Sequence, residues 1–167
     1  ETRSGKQAWS LEVKSYSAAS PAIVDGALYV GHFGGAVLAV DIAQGKALWE
    51  YAPAGASEFP FYAAIAAIAE RVIAGGRDRK VHCLDRKTGK PLWTFATKGD
   101  VDASPCVAGS TVYAASKDGT LYALNIQTGA KTWQYVAGAP FTASPAIAAG
   151  RLVLGDMEGN LYCFGKK

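Results

Sequence analysis

The sequence predicts an all-β chain of four-stranded antiparallel sheets set one after another, and three observations carry that prediction. The four tryptophans, Trp9, Trp49, Trp93 and Trp133, are spaced 40, 44 and 40 residues apart. Each closes the same short pattern: Gly5-Lys6-Gln7-Ala8-Trp9, Gly45-Lys46-Ala47-Leu48-Trp49, Gly89-Lys90-Pro91-Leu92-Trp93 and Gly129-Ala130-Lys131-Thr132-Trp133. Between the tryptophans, short apolar runs alternate with turns bearing Gly, Asp and Asn, which is the pattern of strands and hairpins. A fixed period of this length marks a repeat architecture, and four strands in about 40 residues is the arithmetic of a β-propeller blade.

Composition agrees with this reading. Half of the 167 residues are hydrophobic and 19% are charged, which supplies a core and excludes intrinsic disorder. The 19 glycines exceed the usual ~7% and argue against helical repeats of the same period, because Gly costs a helix interior about 1 kcal/mol. A formal charge of +3 is too small to imply a nucleic-acid surface. No run reaches the ~18 apolar residues of a membrane span, so no membrane insertion is expected. Three cysteines without Cys-x-x-Cys or His-x-x-x-His spacing point to neither a disulfide-stapled mini-fold nor a zinc site. The chain starts at Glu1 without a signal peptide and reads as a processed product or an excised piece of something longer.

Each unit then reads in order. Strand A is Ala22-Ile23-Val24, followed by an Asp25-Gly26 hairpin turn. Strand B is Leu28-Tyr29-Val30-Gly31, and a turn near Gly34-Gly35 leads to strand C, Val37 to Asp41. A Gln44-Gly45 turn leads to strand D, Ala47 to Tyr51. Further landmarks repeat in register: Ser20-Pro21 with Ser104-Pro105 and Ser144-Pro145, and Gly34-Gly35 with Asp118-Gly119 and Glu158-Gly159. The second repeat has Ala64-Ile65 and Asp78-Arg79 at these places. One stretch argues with itself. Phe61 to Ala74 is Ala-rich, and Ile65, Ile68 and Val72 make a helical stripe, yet the register demands a strand A, a turn at Ala69-Glu70 and a strand B. Register decides, because tertiary context overrides propensity.

The repeats span roughly 14–53, 54–97, 98–137 and 138–167 plus 1–13, forming one propeller domain. The chain opens on a strand D, Gln7 to Val13, and closes on strands A to C, Ala146 to Phe164, so the N-terminal strand completes the last blade. Two assemblies satisfy the count: a four-bladed ring from one chain, or a homodimer that exchanges end strands and closes an eight-bladed ring. A third reading is four blades cut from a longer chain.

The repeat resembles the PQQ-binding-like, quinoprotein-type β-propeller repeat. The resemblance rests on Ala39-Val40-Asp41…Gly45-Lys46…Trp49, Cys83-Leu84-Asp85…Thr88-Gly89-Lys90…Trp93 and Ala123-Leu124-Asn125…Thr128-Gly129…Trp133, and it covers essentially the whole chain. The fourth copy, Cys163-Phe164-Gly165, lacks the Asp and must take its tryptophan from Trp9. The resemblance implies that Trp9, Trp49, Trp93 and Trp133 dock blade on blade against the small residue of the motif. It also implies two functional poles: dehydrogenases holding PQQ and calcium beneath a vicinal cysteine pair, and non-catalytic scaffolds such as the propeller lipoprotein of the outer-membrane assembly machinery.

The residues favour the second pole. No two cysteines are adjacent, and Cys83 and Cys163 occupy the small position of the motif. His82 stands at an aromatic position of strand C, and His32 lies in a turn beside Phe33. No nucleophile pairs with either histidine, so no catalytic residue, metal or cofactor is assigned. Asp41, Asp85 and Asn125 recur at one position and are expected to hold the C–D turns. Binding is expected where loops vary on a rigid scaffold, on the face shared by the D–A and B–C loops. The candidates there are Tyr16, Phe33, Phe59, Phe61, Arg77, Arg79, Asp102 and Phe141, suiting a protein or peptide partner. The aromatics could equally plug the central channel. Alternatives are a small-ligand or quinone-binding propeller, and a fragment or engineered piece without function of its own. The family resemblance favours a periplasmic or extracellular setting.

Overall fold

The computed structural model describes residues 3–13, 15–55 and 59–165. Its described residues form four antiparallel sheets, each a blade. Blade 1 is β1 (Ala22–Val24), β2 (Ala27–His32), β3 (Ala36–Asp41) and β4 (Lys46–Tyr51). Blade 2 is β5 (Ala66–Ala67), β6 (Arg71–Gly76), β7 (Lys80–Asp85) and β8 (Pro91–Ala96). Blade 3 is β9 (Cys106–Ala108), β10 (Thr111–Ala115), β11 (Thr120–Asn125) and β12 (Lys131–Val136). Blade 4 is β13 (Ala146–Ala148), β14 (Arg151–Gly155) and β15 (Leu161–Gly165). Strands in every blade pair in chain order, as hairpins do. The Ala-rich stretch is strand, turn and strand, with β5 pairing to β6 through Ala66 and Ile73.

Turn chemistry accounts for the local folding. Asp25 and Gly26 both adopt positive φ, 48° and 75°, the requirement of a two-residue hairpin whose twist matches its strands. At the C–D turns, Asp41 Oδ1 accepts from the backbone N–H of Ala43 and Gln44. Asp85 Oδ1 does so from Lys87 and Thr88, and Asn125 Oδ1 from Gln127 and Thr128. Each turn therefore carries its own cap. The C–D ladder is shifted by one residue at the same point in three blades, between Ala39 and Val40, Cys83 and Leu84, and Ala123 and Leu124. The bulge turns the following strand so that its tryptophan stands directly across from the small residue: Ala39 pairs with Trp49, Cys83 with Trp93 and Ala123 with Trp133.

Those tryptophans join blades. Trp49 donates its indole N–H to the Arg86 carbonyl of blade 2 at 2.9 Å, and Trp93 to the Ile126 carbonyl of blade 3 at 2.9 Å. The rings lie on the turn glycines of the next blade. A Cβ added to Gly89 would sit 2.6 Å from the Trp49 ring, and one on Gly129 would sit 2.7 Å from the Trp93 ring. The docking surface is thus a turn glycine of the following blade, while the motif's small residue lies beneath the tryptophan in its own sheet. Trp9 docks the same way on blade 1, donating to the Ile42 carbonyl at 2.7 Å against Gly45. Trp133 is 42% exposed and packs edge-on against Phe164 at 5.4 Å.

The strand expected at Gln7 to Val13 does not complete blade 4 within the chain. Among the described residues that segment forms no strand, and β15 pairs only with β14. Trp9 holds the segment on blade 1, and among the described residues no ladder joins it to β15.

The core lies between blades. Phe61, Val101 and Phe141 occupy one register position in the D–A loops and are buried to 0 or 1% exposure. Their amides donate to the last carbonyls of the preceding blade's strand B region, Phe61 to His32, Val101 to Gly76 and Phe141 to Ser116. Phe61 closes on Gly31 and Val101 on Gly75, where a side chain would collide at 2.7 and 2.6 Å. All three cysteines are unpaired, and burial pushes the Cys106 thiol up to about 11.

Candidate partner-binding face

The D–A and B–C loops meet on one face, joined by a repeated backbone bond. Phe33 N–H donates to the Tyr16 carbonyl, Arg77 to Pro60, Lys117 to Asp100 and Met157 to Pro140. The residues at these four places, and those just after the buried D–A anchors, project from a rigid backbone.

Two clusters follow. In the first, Tyr16 stacks on Phe33 with centroids 4.0 Å apart and planes at 20°. Tyr62 meets Phe33 edge-on at 5.7 Å. The Arg77 guanidinium lies 4.8 Å from the Tyr62 centroid and 6.0 Å from that of Phe33. Tyr16 and Tyr62 are 66% and 41% exposed, so this is an open aromatic surface with a cation set into it. In the second, Arg77 donates to both oxygens of Asp102, Nε to Oδ1 at 2.8 Å and Nη2 to Oδ2 at 2.9 Å. Lys117 Nζ reaches Asp102 Oδ2 at 2.6 Å and Asp100 Oδ2 at 3.4 Å. Burial alone would raise the Asp102 carboxyl. The hydrogen bonds from Arg77 and Lys117 outweigh it and hold the group below the usual carboxylate range. The same bonds raise Arg77 and Lys117, so all three remain ionised at neutral pH. A bidentate fork fixes Arg77 and therefore the guanidinium plane offered to the aromatics.

Beneath this face lies a buried polar relay. His82 is 1% exposed. Its Nε2 is 3.1 Å from Asp78 Oδ1 and its Nδ1 is 3.2 Å from the Tyr51 hydroxyl. A carboxylate only accepts, so Nε2–H donates to Asp78, while Nδ1 pairs with the Tyr51 hydroxyl. Burial opposes ionisation of Asp78, and the bond from His82 with the charge of Lys80 prevails, lowering its pKa. In blade 3 the same place holds Tyr122, which donates to Asp118 Oδ2 at 2.7 Å; burial and that bond push its phenol up to about 12. In blade 4 Tyr162 donates to Asp156 Oδ2 at 2.7 Å. His82 is therefore a structural substitute for tyrosine, with every ring nitrogen engaged.

The candidates taken from the sequence divide. Tyr16, Phe33, Arg77 and Asp102 come together. Phe59 is 39% exposed on the long D–A loop, and Arg79 is exposed in the B–C turn of blade 2. Phe61 and Phe141 are corrections: at 1% and 0% exposure they are anchors between blades and unavailable to a partner. Tyr62 and Lys117 are the residues that sequence reasoning passed over. The signal was present, since Phe61 shares a register with Val101 and Phe141, apolar throughout, while Tyr62 shares one with Asp102 and Thr142.

Two family models match this chain over more than half its length. One, described as outer membrane protein assembly factor BamB, covers residues 61–166. The other, described as the β-propeller domain of glucose/ethanol/alcohol dehydrogenase, covers residues 1–109. The chain belongs to the PQQ-like β-propeller repeat family. Among curated relatives, 1-butanol dehydrogenase (cytochrome c) of Thauera butanivorans is 31% identical over 61% of this chain. Quinohemoprotein alcohol dehydrogenase ADH-IIG of Pseudomonas putida is 29% identical over 62%. This chain spans only 16% of the length of either relative. Among solved structures, BamB from Moraxella catarrhalis superposes with a TM-score of 0.83 at 24% identity, over 95% of this chain and 49% of that one. The computationally designed Ika4 protein superposes with a TM-score of 0.84 at 21% identity, over 96% and 98%. These structural likenesses establish the propeller fold.

Proposed function

We propose that this PQQ-like propeller is a non-catalytic scaffold that binds a protein or peptide on its D–A/B–C face, around Tyr16, Phe33, Tyr62 and Arg77. The observation that carries the reading is the exposed aromatic cluster with a guanidinium pinned among its rings by Asp102. Aromatic and arginine side chains held rigid lose little entropy on binding and dominate protein interfaces. The assembly-factor family model supports the same class of role and a periplasmic or extracellular setting. A phage-displayed random peptide library selected on the wild-type chain tests it. Enriched peptides are expected to lose at least tenfold in affinity for Tyr62→Ala and Arg77→Ala, with the far-ultraviolet spectrum unchanged. Equal affinity for both variants rejects the face.

The similarity to alcohol dehydrogenases favours a second reading, a propeller that binds a quinone with calcium. Among the described residues no three of His, Cys, Asp and Glu gather. The face's carboxylates, Asp100 and Asp102, are already engaged by Lys117 and Arg77. A thermal-shift titration with PQQ and calcium separates the readings, since stabilisation by the pair would favour the second. The scaffold reading also takes a second copy of this chain as a partner, closing an eight-bladed ring.

A further inference from the structure

The A–B turn of blade 1 carries reactive chemistry that the binding face does not use. The sequence contains two Asp-Gly pairs, Asp25-Gly26 and Asp118-Gly119, and no Asn-Gly. An aspartate before glycine is the aspartyl pair most open to attack by its own backbone, because glycine sets no side chain beside the attacking nitrogen. By sequence the two pairs are equivalent. The fold separates them.

Asp118-Gly119 is closed. Gly119 is buried, and its N–H donates to the Ser116 carbonyl at 3.1 Å. Asp118 Oδ1 accepts from the Thr120 N–H at 2.9 Å, and Oδ2 accepts from the Lys98 N–H at 2.9 Å and the Tyr122 hydroxyl at 2.7 Å. Turning this carboxyl onto the Gly119 nitrogen would break all of these bonds. Asp25-Gly26 is open. Both residues are exposed, the Asp25 side chain to 72%. Among the described residues the Gly26 N–H has no acceptor, and a Cβ on Gly26 would meet nothing within 4 Å. Among the same residues the one hold on the Asp25 carboxylate is Arg86, Nη2 to Oδ2 at 2.8 Å.

We propose that Asp25 is a modification site of the folded chain, where aspartate isomerises to isoaspartate through a succinimide. The Gly26 nitrogen bonds to the Asp25 Cγ, the C–OH bond of the protonated carboxyl breaks, and the hydroxyl leaves as water with the amide proton. Water then adds to one of the two ring carbonyls and breaks its bond to nitrogen. Opening at Cγ restores aspartate. Opening at the former main-chain carbonyl routes the backbone through the side chain and leaves a carboxylate on Cα.

The site bears on a blade junction. Arg86 also donates from Nε to the Ala69 carbonyl at 2.7 Å and from Nη1 to the Val24 carbonyl at 3.4 Å, and its own carbonyl accepts the Trp49 indole. It thus ties blade 2 to the A–B turn of blade 1 where Trp49 docks. Isoaspartate lengthens the main chain by one methylene in a two-residue turn whose twist matches its strands, and it moves the carboxylate away from Arg86.

The test incubates the folded chain at neutral pH and body temperature in water enriched in heavy oxygen. Isoaspartate is detected with a protein-isoaspartate methyltransferase and located by peptide mapping. It is expected at Asp25, carrying solvent oxygen, at a level at least tenfold above Asp118. The same chain unfolded in guanidinium chloride is expected to form it at both sites at similar rates. No isoaspartate at Asp25 in the folded chain, equal levels at both sites there, or product without solvent oxygen overturns the proposal. An unfolded chain that keeps the same tenfold difference overturns the role given to the fold. The modified chain, separated by ion exchange, is expected to unfold at lower urea than the unmodified chain, and an equal midpoint overturns the link to the blade junction.

Discussion

Blades 2 and 3 share one frame and differ at one end. At the C–D end they are nearly interchangeable. Asp85 and Asn125 accept from the same two turn amides, Gly89 and Gly129 adopt φ of 70° and 71°, and each receives the preceding blade's tryptophan. At the loop end they diverge. Blade 3 has Asp118-Gly119 with Tyr122 above it, and blade 2 has Asp78-Arg79 with His82. Blade 3 places Lys117 over two carboxylates, and blade 2 places Arg77 over two aromatic rings. The propeller is thus uniform where blades grip one another and individual where loops meet solvent, and the proposed binding face lies on the individual side.

The comparison can be broken first at the shared part. Phe61→Ala and Phe141→Ala each remove a fully buried ring and should cost about 3–5 kcal/mol in urea unfolding. A cost below about 1 kcal/mol for Phe61 would mean that the long D–A loop of blade 2 is not anchored as the others are. Next come the turn glycines. Gly89→Ala and Gly129→Ala each put a Cβ at positive φ and against an indole, and should cost about 2 kcal/mol or more, in equal measure. Unequal costs would show that the two junctions are packed differently.

Smaller effects test the divergent end. Asp102→Asn should lose about 1.5–3 kcal/mol at neutral pH, the range for a hydrogen-bonded charge. The sign of its pH dependence follows from the lowered values of Asp78 and Asp102. Their stabilisation is complete above the unfolded value of 3.8 and is lost as pH falls below it through the folded values. Acid unfolding of Asp102→Asn should therefore be shallower than that of wild type. The smallest effect is a gain. Arg79 holds φ 61° where Gly35, Gly119 and Gly159 stand in the other blades, so Arg79→Gly should stabilise by about 1 kcal/mol. No gain would mean that the arginine side chain offsets its backbone strain.

Much of this was legible in the chain itself. The tryptophan spacing located the blades, Asp25-Gly26 placed a hairpin, and Asp41, Asp85 and Asn125 announced the capped turns. Even the helical stripe of Ile65, Ile68 and Val72 was decided against helix by register alone, as β5 and β6 confirm. The site was less legible because adjacent loop residues have opposite fates. Phe61 and Tyr62 look alike as a pair of aromatics, yet one enters the space beside Gly31 and the other faces solvent.

The sequence by itself determined the number of blades, their strand order and their turns, since these depend on local periodicity and on which residues tolerate positive φ. Only the tertiary structure decided which aromatics are core, that Arg77 is held between Asp102 and Tyr62, and that residues 7–13 seat on blade 1. Those outcomes depend on which blade lies beside which, a relation between residues many positions apart that no local pattern encodes.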